Sequence, residues 1–165
     1  MYEGKKEMTA QLLIEKLDEL IEAHKELLML SKEKTDAIKK PDLKPFAAIV
    51  AKEKRLINLV NGLEKERAEL VRTFLGGREG TVTDCLAKMT SHEKVQLTKA
   101  SSRLRELVEE LKEQNELNRL LIQQSLQFVN MNISLFLPEE DTYTYERPKQ
   151  TQESKAGRSL FDTRA

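Results

Sequence analysis

Residues 90–138, TSHEKVQLTKASSRLRELVEELKEQNELNRLLIQQSLQFVNMNISLFLP, run for almost fifty positions without a glycine and meet a proline only at the last. Its apolar residues recur at three-four spacing, the period of one helical face. Thr90 and Glu93 stand at capping-box spacing at the front, so each side chain can serve the other residue's free backbone N–H. Pro138 ends the run. A helix over about 91–137 follows, roughly 65–70 Å long at the standard rise.

Two further stretches read the same way. In the first, Ala10, Leu13, Leu17, Leu20, Leu27 and Ile38 follow one seam, widened by Ile14, Ile21 and Leu28. That pattern predicts an amphipathic helix over about 8–39, broken at Lys40-Pro41-Asp42 because proline disfavours helical geometry at the residue before it. In the second, Phe46, Ile49, Val50, Ile57, Val60, Leu63, Leu70, Val71 and Phe74 form the apolar face of a helix over about 43–75. Asp42 is its expected N-cap, and Pro45 falls in the first turn, where a missing donor costs little. Gly62 marks a candidate bend, and Gly76-Gly77 supplies the stop. Residues 78–90 are a connection with room for one short helix from Thr83.

Composition agrees with this reading. The chain has 165 residues, 34% charged and 39% hydrophobic, with 5% aromatics and no Trp. Six glycines and four prolines make few turns. The length suits one domain. The fold class is therefore all-α: an elongated antiparallel bundle of three long helices over residues 1–137, with a flexible tail from 138 to 165. The tail holds six acids, five bases and two prolines in no period, with Tyr143, Tyr145, Leu160 and Phe161 as large apolar exceptions.

Charge and chemistry exclude several classes of function. With 28 basic and 28 acidic residues there is no net basic character to bind nucleic acid. Cys85 is alone and cannot pair within the chain, and the charged N-terminus lacks the apolar core of a secretory signal, so the chain reads as cytoplasmic. His24 lies on the apolar seam of the first helix, where a packed, hydrogen-bonded histidine is expected. His92 sits in the first turn of the last helix. Two histidines and one cysteine so placed match no zinc spacing, and no metal or cofactor is expected. Gly76-Gly77-Arg78-Glu79-Gly80-Thr81 lacks the lysine and preceding strand of a phosphate loop. Glu109-Glu110 with Arg105 and Lys112 is a solvated helix face. No catalytic constellation emerges, and the chain reads as a non-enzyme.

Residues 120–137, LLIQQSLQFVNMNISLFL, carry no charge in a chain one-third charged. Seven of these eighteen residues are polar, which argues against a membrane span. At about 100° per residue, Gln123, Gln127, Asn130 and Ser134 share a narrow polar stripe and apolar side chains fill most of the remaining arc. An internal seam needs an arc only somewhat above 100°. Leu121, Ile122, Leu126, Phe128, Val129, Ile133 and Phe136 thus offer more apolar surface than two neighbouring helices would consume. The surplus suits an amphipathic helix from a partner or a second copy, and Met131 adds adaptability. The plainer alternative is a central helix buried by its own neighbours.

The run Asn115-Glu116-Leu117-Asn118-Arg119-Leu120-Leu121, followed by Ser125-Leu126-Gln127-Phe128-Val129-Asn130, resembles the C-terminal signature of the FlgN-type flagellar export chaperones. The resemblance extends to the tyrosine-containing tail, to Ser159-Leu160-Phe161-Asp162, and to Lys40-Pro41-Asp42-Leu43 opening a helix with Lys52-Glu53-Lys54. It implies a cytoplasmic chaperone for type III protein export in bacterial flagellum assembly. Such a chaperone binds the terminal helical segments of hook-associated (hook-filament junction) proteins, prevents their early assembly and delivers them to the export gate. Client binding then maps onto the uncharged segment, through the seven residues named above. Docking at the export gate membrane protein maps onto Tyr145, with Tyr143 second. A client-free homodimer is compatible with the same surface. Two rivals from other classes stand beside it. One is a self-associating coiled-coil scaffold whose apolar surplus builds homo-oligomers only. The other is a degenerate phosphotransfer domain, which needs an exposed His24.

Overall fold

A computed structural model describes residues 2–136 of the chain, and all elements within them are helical: α1 (Tyr2–Ile38), α2 (Lys44–Phe74), a short α3 (Val82–Leu86) and α4 (Ser91–Phe136). The three long helices lie within a few residues of the positions expected from periodicity. The largest difference is at the front. α1 begins at Tyr2 rather than near residue 8, because nothing between Tyr2 and Glu7 stops a helix and Gly4 is tolerated with open space around it.

Each break has a local cause. Asp42 is not the N-cap of α2: Leu43 holds that position without a side-chain cap, and the Asp42 carboxylate accepts the Lys44 N–H at 3.0 Å instead. Pro45, at the start of the helix, has no N–H to satisfy, which shifts the start by one residue at little cost. α2 continues unbroken through Gly62. It then closes in a Schellman motif, with the Gly76 N–H on the Thr73 carbonyl at 3.1 Å and the Gly77 N–H on the Arg72 carbonyl at 2.9 Å. Both glycines have positive φ, 75° and 87°, a conformation that carries a steric penalty for any residue with a Cβ.

α3 starts one residue before the expected Thr83. Thr81 caps it through a reciprocal pair with Asp84, which donates its backbone N–H to the Thr81 hydroxyl at 3.3 Å and accepts the Thr81 N–H at 2.7 Å. The Thr81 N–H and the Thr81 hydroxyl, at 2.8 Å, both donate to the Asp84 carboxylate and hold that carboxyl below its ordinary value. The Thr90–Glu93 box forms as the spacing foretold, the Glu93 carboxylate accepting the Thr90 N–H at 2.8 Å.

α1 is the central element. It packs along α2 on one side and α4 on the other, whereas α2 and α4 hardly approach each other. Cross-helix partners give the directions. Lys16 meets Glu66 and Lys34 meets Glu53, so α2 runs antiparallel to α1. Ser31 meets Asn115 and Thr35 meets Asn118, so α4 runs parallel to α1 and antiparallel to α2.

The core is the α1 seam: Ala10, Leu13, Leu17 and Leu20 are buried to 2% exposure or less. Leu63, Val71 and Phe74 of α2, Cys85 of α3, and Leu97, Ala100 and Leu107 of α4 close on it. A second small cluster, Leu30, Ala37 and Ile49, backed by Phe46 and Leu56, holds the α1–α2 hairpin. Removing this apolar surface from water, at roughly 25 cal/mol per Å², is the main favourable term in the fold. His24 lies buried in the seam, its Nδ1–H donating to the Leu20 carbonyl at 2.7 Å. Such a histidine is unavailable for phosphotransfer. Cys85 is buried and free, and burial pushes its thiol up. No helix among the described residues is long and apolar enough to cross a membrane.

Candidate functional site: the overhanging end of α4

The partner pairs along α1 and α4 keep an offset of 83–84 positions, Ser31 with Asn115 and Thr35 with Asn118. Carried forward, that offset brings Ile38, the end of α1, level with residues 121–122. α4 nevertheless continues to Phe136. Residues 123–136, about 21 Å of helix at the standard rise, therefore have no length of α1 beside them. The uncharged segment coincides with this overhang.

Exposure follows the same division. Leu121 and Ile122, at the root, are half-buried, and Ile122 shares a groove with Leu27, Ile57 and Leu111. Beyond them Leu126, Phe128, Val129, Ile133 and Phe136 are 49–85% exposed, and Met131 and Leu135 join them. The alternative in which neighbouring helices bury this segment does not hold. Of the seven residues singled out, five share the open overhang and two form its junction with the helical body. Exposed apolar groups so concentrated are uncommon on a protein that stands alone. Polar side chains on the overhang turn back on their own helix: the Asn132 amide donates to the Phe128 carbonyl at 2.9 Å, and the Ser134 hydroxyl to the Met131 carbonyl at 2.8 Å.

The root carries a feature that periodicity alone does not reveal. Asn118 is 2% exposed, close to the end of the α1–α4 contact. Its amide donates to the Ser31 carbonyl at 2.7 Å and to the Ser31 hydroxyl at 3.1 Å. Its carbonyl accepts from the Thr35 hydroxyl at 2.6 Å. Ser31 in turn donates to the Asn115 side chain at 2.7 Å, and Gln114 donates to Thr35 at 2.7 Å. Alongside, Lys34 donates to both carboxylate oxygens of Glu53 at 2.7 Å, with both side chains largely buried. Every polar group in this layer has a partner, as burial requires. Shifting α4 along α1 by a turn would break every bond of the layer that joins those two helices. A polar residue in an apolar seam fixes register in the same way in coiled coils. The only sequence cue is a pair of polar positions, Ser31 on α1 and Asn118 on α4, falling where the apolar period asks for a hydrophobe.

Tyr143 and Tyr145 lie outside the described residues, as does the whole stretch expected to form a tail. Among the described residues, no group of three or more His, Cys, Asp or Glu side chains converges to hold a metal ion.

Residues 8–153 match the protein family described as FlgN protein. A curated relative, the uncharacterized protein YvyG of Bacillus subtilis (strain 168), is 33% identical over 160 residues, covering 96% of this chain and all of the relative. No solved structure matches the chain.

Proposed function

The chain belongs to the FlgN family of flagellar export chaperones, and from that premise we propose that the overhanging end of α4 is its client-binding surface. Leu126, Phe128, Val129, Ile133 and Phe136 contact the client, and Leu121 and Ile122 complete the surface at the root. The clients are the terminal helical segments of the hook-associated proteins. The protein keeps them from assembling early in the cytoplasm and delivers them to the type III export gate.

The observation that carries this reading is the uncovered, uncharged helix end beyond residue 122. An apolar client helix laid against it buries side chains on both partners and leaves no ion pair to desolvate, because residues 120–137 contain no charge. The narrow stripe of Gln123, Gln127, Asn130 and Ser134 is left to water. Without a client, two copies can cover the same surface on each other, so a homodimer that gives way to the client complex is part of the proposal. Tyr145, with Tyr143 second, docks the loaded chaperone at the export gate membrane protein.

The test is titration of the purified chain with the C-terminal helical segment of a hook-associated protein, followed by calorimetry and light scattering. We expect a discrete low-order complex of micromolar or tighter affinity. Leu126→Glu with Val129→Glu should weaken it about a hundredfold or more, since burying an unpaired carboxylate in an apolar contact is prohibitive. The helical body should keep its circular dichroism. Undiminished binding by that variant would place the client elsewhere. A homo-oligomer that persists unchanged with no heat of mixing would favour a self-assembling scaffold.

A further inference from the structure

On the face of α1 turned away from α4, α1 and α2 enclose a long groove that the client reading does not use. Its wider part has a volume of about 880 Å³ and is lined by both helices from Glu15 to Met29 on the α1 side. It runs into a second recess that begins at Leu12 and shares Glu15 and Glu19 with it. From residue 12 to residue 29 the trough is about 25 Å long. Its apolar surface is open: Leu12, Met29 and Leu59 are 43%, 54% and 51% exposed, above a floor of Ala23, Leu63 and Leu70.

Charge on the walls is one-sided. Seven carboxylates (Glu15, Asp18, Glu19, Glu22, Glu26, Glu66 and Glu69) face two ammonium groups, Lys16 and Lys25, in a chain whose net charge is zero. Both lysines are already engaged, Lys16 with Glu19 and Glu66 at 2.8 and 2.7 Å, and Lys25 with Glu22 at 2.6 Å. Asp18 and Glu26 have no ion pair among the described residues. Phosphate and anionic lipid are repelled by such a surface.

We propose that this groove is a second docking site and takes a basic amphipathic helix of a partner protein. The helix would set its apolar side on Leu12, Leu59 and Met29 and reach out with Lys or Arg, whose aliphatic stems lie along apolar surface while their charged ends meet the Glu and Asp rims. A helix of about 17 residues fills the 25 Å trough. Nothing on α4 lines the groove, so it can be occupied while a client holds the overhang.

The probe is a fluorescein-labelled 18-residue synthetic peptide with leucine at three-four spacing and lysine elsewhere, followed by fluorescence anisotropy. Its control has glutamate in place of every lysine. The lysine peptide should bind and the glutamate peptide should not. Asp18→Lys with Glu26→Lys, both exposed, should weaken binding about tenfold or more by turning attraction into repulsion. The neutral pair Leu126→Gln with Val129→Gln should leave it unchanged. The proposal is overturned if the glutamate peptide binds equally, if the Asp18/Glu26 variant binds as the parent does, or if the α4 pair abolishes binding. It is also overturned if the Asp18/Glu26 variant breaks up a homo-oligomer by sedimentation, because the occupant is then a second copy. Binding of the hook-associated segment should be indifferent to Asp18 and Glu26, so either site can fail without the other.

Discussion

Replacing Asn118 by alanine tests whether the buried polar layer fixes α4 on α1. The substitution removes both amide donors to Ser31 and the carbonyl that accepts from Thr35. The Ser31 carbonyl is the least affected, since it lies within α1 and retains its helical hydrogen bond. The Ser31 hydroxyl keeps Asn115 and loses one of two partners. Thr35 keeps the donor from Gln114 and loses its best acceptor, and a void remains where the amide stood. The Thr35 hydroxyl still has the Ser31 carbonyl at 3.2 Å, so each hydrogen bond lost counts at its net worth of about 0.5–1.5 kcal/mol, and the void adds to it. A total of about 2–4 kcal/mol is expected for Asn118→Ala, read from urea denaturation followed by helical circular dichroism. Ser31→Ala should cost less. The double variant should cost about 1 kcal/mol or more below the sum, because the two side chains bond to each other. A single-variant loss below about 0.5 kcal/mol, or strict additivity of the pair, would refute the assignment. Asn118→Leu with Ser31→Ala provides a further contrast. Stability should largely return in an apolar layer, but α4 loses the device that sets its register, and the reach of the overhang becomes less well defined.

Two further outcomes follow from the chain. The Asp84 carboxyl is held below its ordinary value of 3.8 by the Thr81 backbone and side chain. Its contribution to α3 is therefore complete above 3.8 and is lost as pH falls through the lowered value, so an NMR titration of the Asp84 side chain should show a midpoint below 3.8 that returns upward in Thr81→Ala. Tyr145→Ala should leave the affinity for the hook-associated segment unchanged while reducing secretion of that client. A drop in client affinity would count against a docking role confined to the export gate.

Much of the helical layout is legible in the residue order because helices are local. The α1 seam from Ala10 to Leu28 is buried as its three-four spacing demands. The Thr90–Glu93 box and the Gly76-Gly77 stop are each decided within a few neighbouring residues. The parts that escape depend on which helices meet. The α2 periodicity counts Val50 and Ile57 as core, yet they are 42% and 49% exposed, because α2 and α4 hardly approach and the inner flank of α2 is left without a neighbour. Asn118 escapes for the same reason. Its spacing places it on the contact face, but nothing local tells that Ser31 and Thr35 stand opposite. The surplus of apolar arc over residues 120–137 was legible, and so was its need for a cover. That it lies past the end of the body requires the register between α1 and α4, which comes from the polar layer and not from the period.

Register and overhang are consequently one feature. The length of α4 free of the body is its total length minus the part that α1 covers, and that part is set by where Asn118 meets Ser31 and Thr35. Moved one turn toward its N-terminus on α1, α4 would draw about 5.4 Å of the overhang alongside the hairpin and bury apolar surface that is now open. Hydrophobic contact alone favours that shift, because it removes more apolar area from water. The layer opposes it, since the move would strip partners from Asn118, Ser31, Thr35 and Gln114 together, at about 1–3 kcal/mol for each buried group left unsatisfied. Apolar side chains at these positions would permit neighbouring registers at little cost. The polar layer gives up some stability in the seam and holds the apolar end of α4 outside it, where a partner can reach it.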